Sequence, residues 1–451
     1  MPQIYTSGLT WQHAGRTQPA INNVSFSIEH GERILLAGDS GSGKSTLLAA
    51  LAGVLGGDDE GTLVGELHID ASTVGLVLQD PDSQVIASRI GDDVAFGCEN
   101  LGLERDEIWR RVHAALEMVG LNLDINHPTA RLSGGQKQRL ALAGVIAMGA
   151  EVILLDEPTA NLDPEGAADV IAAVAHTVQQ TGATLIVIEH NYSEWESVLH
   201  RALVLEHGEI TYDGDIGPAI AARRVTGLPQ SQPVPADAPS ALWSTDLVCR
   251  FGPPRTLAVP EGASAVITGA NGSGKTTWLM TMAGLIPPVS GEIGYAASIH
   301  KGLAPNPHKW SSAQLAHRIG YVFQNPEHQF VARSVMEEMR IGPKVMDVDV
   351  PDERIGMLLE RLRLSHLADA NPFTLSGGEK RRLSVATALV TAPSVVLLDE
   401  PTFGQDPQTF AELVTMIREL VDSGVTVASI THDELYIAAL ADAHLQVSAH
   451  A

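Results

Sequence analysis

The chain is poor in cysteine, poor in basic residues and has no long apolar run, and each shortage removes a class of function. Only Cys98 and Cys249 occur, far apart and outside any CxxC or Cys/His spacing, so neither a disulfide framework nor a structural zinc site is expected. Both read as small buried hydrophobes. Lys and Arg total 29 against 54 Asp and Glu, a formal charge of -25, which argues against a surface devoted to phosphate backbones and nucleic acid. No uninterrupted apolar run approaches the roughly 18 to 20 residues that a membrane-spanning helix requires. The N-terminus MPQIYTSGLTW has no basic region followed by an apolar core, so neither a spanning segment nor a secretory leader is expected. With 44% hydrophobic residues over 451 positions, the chain is long enough for two or three domains, each with its own core.

What the chain does have is a long internal repeat. GDSGSGKS, Gly38 to Ser45, returns as GANGSGKT, Gly269 to Thr276. Gln79 pairs with Gln324, Ser133 with Ser376, Asp156 with Asp399 and His190 with His432, all in the same order. Five ordered landmarks mean two diverged copies of one domain. The offset rises from 231 at the lysines to 245 at the glutamines, which puts about 14 extra residues in the second copy, around KGLAPNPHKW. Between the copies, GLPQSQPVPADAPS carries four prolines and reads as an extended tether. The expected domains are 1–226 and 242–451, joined by a linker over 227–241.

Within each copy, short buried-type runs (ERILLAG, EVILLDE, TLIVIEH; SAVITG, SVVLLDE, TVASITH) alternate with amphipathic segments. That alternation predicts an α/β fold with a mostly parallel sheet covered on both faces. In each phosphate loop the glycines, Gly38, Gly41 and Gly43 or Gly269, Gly272 and Gly274, let successive N–H groups point at phosphate oxygens before a helix N-terminus. Lys44 and Lys275 supply charge for the β and γ phosphates. The hydroxyls of Ser45 and Thr276 suit Mg²⁺, and Thr46 and Thr277 follow in the same nucleotide-binding stretch. The strands VILLDE and VVLLDE deliver Asp156 and Asp399, able to hold Mg²⁺ or its waters, and then Glu157 and Glu400, able to polarise an attacking water. His190 and His432 end the next strand, where an imidazole could contact the γ phosphate. LSGGQ and LSGGE open helices with Ser133 or Ser376 as N-cap, and Gly134, Gly135, Gly377 and Gly378 leave backbone N–H groups open to an anion.

This ordered set resembles the nucleotide-binding subunit of ATP-binding cassette (ABC) proteins over nearly all of both halves. The resemblance implies two tandem P-loop NTPase, RecA-like cassettes, each with a helical subdomain, that bind ATP and Mg²⁺ and hydrolyse ATP. It implies head-to-tail pairing of the halves, with ATP between the P-loop of one and the LSGG of the other. Site one would join Lys44, Ser45, Gln79, Asp156, Glu157 and His190 to Ser376, Gly377 and Gly378. Site two would join Lys275, Thr276, Gln324, Asp399, Glu400 and His432 to Ser133, Gly134 and Gly135. Gln79 and Gln324 would act beside the metal and the attacking water, and Trp11 and Phe251 would stack on adenine. Neither half has lost a Lys, Asp, Glu or His, so both sites are expected to hydrolyse. The segment ANLD in the first half reads FGQD in the second, which makes unequal rates an expectation.

The loops QDPDSQ and QNPEHQ, with DDVAFGCENLGL downstream, look like those of energy-coupling factor (ECF) transporter ATPases. That narrower resemblance implies a peripheral subunit on the cytoplasmic face of the membrane. It would drive import of a vitamin or transition-metal ion through a membrane scaffold (T-type) protein and a small substrate-binding (S-type) membrane protein, with no nucleic acid. The competing reading is a soluble double-cassette ATPase acting on ribosomes, which would have a long charged linker and basic regions. A fused sugar-importer ATPase and a chromosome or repair ATPase fit the loops and the spacing less well.

Overall fold

The computed structural model describes residues 2–15, 18–57, 60–160, 162–235, 237–250, 252–349 and 352–448. The chain divides into two compact units, Met1–Arg224 and Val225–Ala451.

In the first unit a six-stranded sheet runs in the order Val74–Val77, Val152–Asp156, Thr184–Ile188, Arg33–Ala37, Arg201–Glu206, Glu209–Asp215. All neighbouring pairs are parallel except the last. The central strands Val152–Asp156 and Thr184–Ile188 are almost wholly buried, as continuous apolar runs covered on both faces must be. A separate antiparallel sheet orders Ile21–Ile28, Ile4–His13 and Gly61–Ile69. The helices Ile90–Asn100 and Arg105–Met118 pack Val94, Cys98, Val112 and Leu116 against Leu140, Ala143 and Val145 of helix Gly134–Ala147. These three helices make the helical subdomain.

The second unit repeats the plan. Its parallel sheet runs Ile319–Val322, Val395–Asp399, Thr426–Ile430, Ser264–Thr268, Ala443–Gln446, and its antiparallel sheet runs Arg255–Pro260, Ser240–Val248, Ser290–Tyr295. Among the described residues it has no counterpart of Glu209–Asp215. The extra residues of this copy fold as two short helices, Ala297–His300 and Ser312–Ala316, anchored by Trp310, which is 7% exposed, packs on Tyr295 and lies under the Arg318 guanidinium.

The proline-rich stretch is laid on the second unit. Val225 and Leu228 pack against that unit's core, Ser231 N–H donates to Ala438 O at 3.4 Å, and Val234 N–H donates to Asp442 O at 3.2 Å. Both cysteines are buried free thiols, as their sequence context suggests.

Candidate nucleotide sites

Each phosphate loop leads from a central strand into an eight-residue helix, Lys44–Leu51 or Lys275–Met282, whose first turns also carry Ser45 and Thr46 or Thr276 and Thr277. The loops depend on glycine. Gly38, Gly41 and Gly43 have φ of 152°, 80° and 102°, and Gly269, Gly272 and Gly274 have 150°, 75° and 88°. A Cβ on Gly43 would lie 2.2 Å from the Ala20 carbonyl oxygen, so space as well as φ excludes a side chain there. The lysines turn back onto their own loops. Lys44 Nζ donates to the carbonyls of Gly38 and Asp39 at 2.9 Å each, and Lys275 Nζ donates to Gly269 at 2.5 Å and Ala270 at 3.1 Å.

Beside each loop a hydroxyl meets a carboxylate, Ser45 with Asp156 and Thr276 with Asp399. Burial, with Glu157 adjacent, pushes the Asp156 carboxyl up to about 6, and burial raises that of Asp399. Asp399 Oδ2 is buried with no hydrogen-bond partner among the described residues. An unsatisfied carboxylate oxygen beside a hydroxyl is a hard-oxygen donor set, and it fits Mg²⁺.

The next residue differs between the units in its partners but not in its backbone. Glu157 and Glu400 have φ of 48° and 50°, an uncommon left-handed conformation for glutamate. Each N–H is held at 2.9 Å by the neighbouring strand, by Ile188 O or Ile430 O. Glu157 accepts from Gln79 Nε2 at 2.5 Å, and its other oxygen lies 3.0 Å from His190 Nε2. Burial works to raise this carboxyl, but the charge and hydrogen bond of His190, with Lys44, hold it below the usual range. Glu400 instead takes a hydrogen bond from the Thr431 hydroxyl, and burial with Asp399 alongside pushes it up to about 8. His432 follows Thr431 at the place where His190 follows Glu189.

Glu189 was not singled out by the sequence reading. It is 4% exposed, accepts from Thr159 N–H at 3.0 Å and from the Thr159 hydroxyl at 2.5 Å, and burial pushes it up to about 7. The signal for it was the mismatch IEH against ITH at the two histidines.

Trp11 and Phe251 do not occupy equivalent places. Val24 and Arg255, 231 apart like the P-loop lysines, face Leu9 and Leu247 across the antiparallel sheets. Counting on from that pair, Trp11 matches Cys249 and His13 matches Phe251. Trp11 is 3% exposed, belongs to a core cluster with Ile21, Leu47 and Leu51, and donates from Nε1 to His13 Nδ1 at 3.3 Å. The aromatic ring at the more open position is therefore His13. Phe251 lies outside the described residues.

Ser133 and Ser376 are helix N-caps in complete capping boxes with Gln136 and Glu379. Both serines and the glycines after them, Gly134 and Gly377, are exposed. The structure thus gathers phosphate loop, glutamine, acidic pair and histidine within each unit, while the LSGG helix start faces outward.

A sequence model of the ABC transporter family matches residues 21–160 and 254–403. The chain belongs to that family. YkoD of Bacillus subtilis (strain 168), provisionally named an HMP/thiamine import ATP-binding protein, is 35% identical over 97% of this chain and 88% of its own length. A provisionally named ABC transporter ATP-binding protein of Methanosarcina acetivorans is 31% identical over 96% of this chain and 82% of its own. The archaeal ribosome recycling factor aABCE1, solved with the ribosomal stalk protein aP1, superposes with a TM-score of 0.67 over 97% of this chain and 87% of that one. At 19% identity it shares the fold alone. The protein is an ABC-type ATPase with two ATP-binding cassettes.

Proposed function

We propose that this ATPase is the energy-coupling subunit of an ECF-type importer, carrying two ATP sites formed head to tail between its cassettes. The observation that carries the membrane-partner reading is a matched pair of exposed apolar residues just past the two glutamine loops. Ile86 is 62% exposed and Val331 is 73% exposed, at equivalent positions. Both are held in place rather than loose. Asp93 accepts the N–H groups of Ile86 and Ala87 at 2.8 Å each, and Glu338 accepts those of Val331 at 2.9 Å and Ala332 at 2.7 Å. A rigid apolar knob one loop away from the γ-phosphate end of each site suits the docking of a partner's helix. Among the described residues no helix is long and apolar enough to cross a membrane, so a membrane pathway would come from other chains. The name of YkoD supports a vitamin-class cargo. The ribosome-acting reading has fold likeness alone behind it.

In this reading Lys44 and Lys275 leave their loop carbonyls for the ATP phosphates, and Ser133–Gly135 and Ser376–Gly378 close each site from the opposite cassette. Ser45 with Asp156, and Thr276 with Asp399, hold Mg²⁺, Gln79 and Gln324 standing nearby; the ion would neutralise developing phosphate charge. Glu157 and Glu400 polarise the attacking water, oriented by Gln79 and His190 in the first unit and by Thr431, Gln324 and His432 in the second. His13, with Phe251, is the better candidate for contact with adenine. Replacing Glu157 and Glu400 together by Gln should leave ATP binding intact and lower phosphate release about 100-fold or more. Undiminished release would refute their role. The partner reading is tested by affinity purification from mild-detergent membranes, with and without ATP, followed by mass spectrometry. A polytopic scaffold and a small hydrophobic protein should be recovered, and lost in Ile86→Asp/Val331→Asp. Recovery of ribosomal proteins with nothing from the membrane would overturn it.

A further inference from the structure

The signature helices of the two cassettes are fastened to their surroundings differently, and the difference starts at one position. Five residues after Ser133 stands Gln138; five after Ser376 stands Arg381. Gln138 is 2% exposed and donates from Nε2 to Leu78 O at 3.3 Å, the residue before Gln79. Arg381 is 3% exposed and donates from Nη1 to Phe323 O at 2.7 Å and to Asp399 O at 3.3 Å, and from Nη2 to Gln324 O. One guanidinium therefore bridges the signature helix, the glutamine loop and the end of the Asp399 strand.

The last residue of each glutamine-loop motif repeats the contrast. Gln84 folds back on its own loop, accepting from Leu78 N–H at 3.0 Å and donating to Leu78 O at 3.1 Å. Gln329 reaches across to the signature helix instead. It donates to Ser384 O at 2.9 Å and Thr387 Oγ1 at 2.6 Å, and accepts from Ser384 Oγ at 2.7 Å. A third contrast lies at the next arginine. Arg139 turns toward Asp169 and Gly120 O, whereas Arg382, 4% exposed, donates to Gln405 Oε1 at 3.3 Å. Gln405 in turn donates to Gly378 O at 3.3 Å, while Leu162, apolar, stands at its place in the first unit. The lysine tether is common to both units, Lys137 to Asp82 and Lys380 to Glu327, so it does not account for the difference. Taking a guanidinium out of water is costly, and it is tolerated here because three carbonyl oxygens, two from the glutamine loop and one from the end of the Asp399 strand, converge on it.

We propose that Arg381 is a positioning residue that makes the second cassette's glutamine loop, Asp399 strand end and signature helix one rigid body, whereas the first cassette's glutamine loop, held to its signature helix through Gln138 and Lys137, is the less firmly fastened of the two. The second cassette is then the stiff lever and the first the compliant one. This rests on the proposed role of the glutamine loops as the link between ATP site and partner.

The test is amide hydrogen exchange on the nucleotide-free full chain, comparing segments 323–332 and 78–87. At Ile86 and Ala87, and at Val331 and Ala332, the N–H groups have matched local acceptors in Asp93 and Glu338, so a difference at those positions reports the cross-links. Segment 323–332 should exchange at least tenfold more slowly. Arg381→Gln, which installs the residue of the first cassette, should speed it at least fivefold while helix Arg105–Met118 keeps its protection. With Glu157→Gln present so that only the second glutamate acts, Arg381→Gln should lower kcat about tenfold and change the KM for ATP less than threefold. Equal exchange of the two segments in the unmodified chain overturns the proposal, a comparison that needs no variant to fold. No change in 323–332 on Arg381→Gln also overturns it. Failure of the glutamate assignment would show separately, as turnover surviving in Glu157→Gln/Glu400→Gln, and would leave the exchange comparison readable.

Discussion

Asp442 is where the linker between the cassettes is secured, and removing its carboxylate has a calculable cost. The residue is 6% exposed, and its two oxygens accept from Arg418 Nη1 at 2.9 and 3.0 Å. One oxygen also accepts Ser264 N–H at 3.0 Å, and the other accepts Gln232 N–H at 2.5 Å, in the linker. Asp442→Ala leaves a guanidinium buried without this partner and strands two backbone donors. Breaking a buried pair on one side costs about 3–5 kcal/mol. Arg418 keeps Asp422 at 2.9 Å, but that carboxylate is half exposed and offsets little. Taking about 3 kcal/mol, and roughly 2–4 °C per kcal/mol for a unit of this size, the unfolding of the second unit should fall by about 6–12 °C. Scanning calorimetry of the full chain reads this, and limited proteolysis should cut residues 225–235 sooner. Arg418→Met/Asp442→Leu should recover the part of the calorimetric loss due to the unpaired guanidinium, but not the part due to the Ser264 and Gln232 N–H groups, which a leucine leaves without an acceptor. A shift under about 2 °C with an unchanged cleavage rate would show that the carboxylate neither carries the Arg418 charge nor holds the linker.

Two further outcomes follow from the first cassette. Gly43→Ala drives a Cβ to 2.2 Å from a backbone carbonyl at φ 102°, whereas Gly41→Ala meets nothing within 4 Å and suffers only its φ of 80°. With the second site silenced by Lys275→Ala, titration with a fluorescent ATP analogue should show binding abolished for Gly43→Ala and weakened only about tenfold for Gly41→Ala. Equal losses would contradict the steric argument. Glu189, pushed up to about 7 from an ordinary 4.5, favours the folded state fully below pH 4.5 and loses that contribution as pH rises toward 7. The loss is about 3 kcal/mol. Glu189→Gln should therefore gain Tm relative to the parent as pH goes from 5 to 8, and a constant difference over that range would refute the burial argument.

The sequence was most legible where function depends on local geometry. A phosphate loop, a strand ending in two acids and a serine-capped helix are each written in consecutive residues, and all of them lie where their spacing requires. The parallel sheets followed from apolar runs such as VILLD and TVASI for the same reason. Trp11 was misplaced because assigning it needs the register of an antiparallel strand, and the hairpin after it has different lengths in the two copies. The linker's attachment was hidden because it rests on Asp442, some 200 residues away, and turn-rich composition does not report a distant acceptor. Arg381 and Thr431 were visible as mismatches in an otherwise regular repeat, LSGGEKRR against LSGGQKQR and ITH against IEH. Their contacts, which give those mismatches meaning, required three-dimensional neighbours.

Retaining every motif residue in both cassettes does not make the two centres equivalent, since their electrostatics are set one residue away. Beside His190 sits a third acid, Glu189, yet Glu157 is held below its ordinary value because His190 and Lys44 face it directly. In the second unit the third acid is replaced by Thr431 and a buried cation, Arg381, is added, a change of two charges toward positive. Glu400 is nonetheless raised to about 8, because burial and the adjacent Asp399 outweigh the hydrogen bond from the Thr431 hydroxyl and the charges of Lys275 and Arg381. Contact geometry outweighs net charge at these separations, as it should where the dielectric is low and a single hydrogen bond replaces solvent. The carboxyl of Glu157 is thus shifted toward the ionised form and that of Glu400 toward the neutral one, so added positive charge would change the second more than the first. If the two cassettes pair as proposed, fusion gives each copy a fixed partner, and differences of this kind between the two centres need not be averaged out by exchange of subunits.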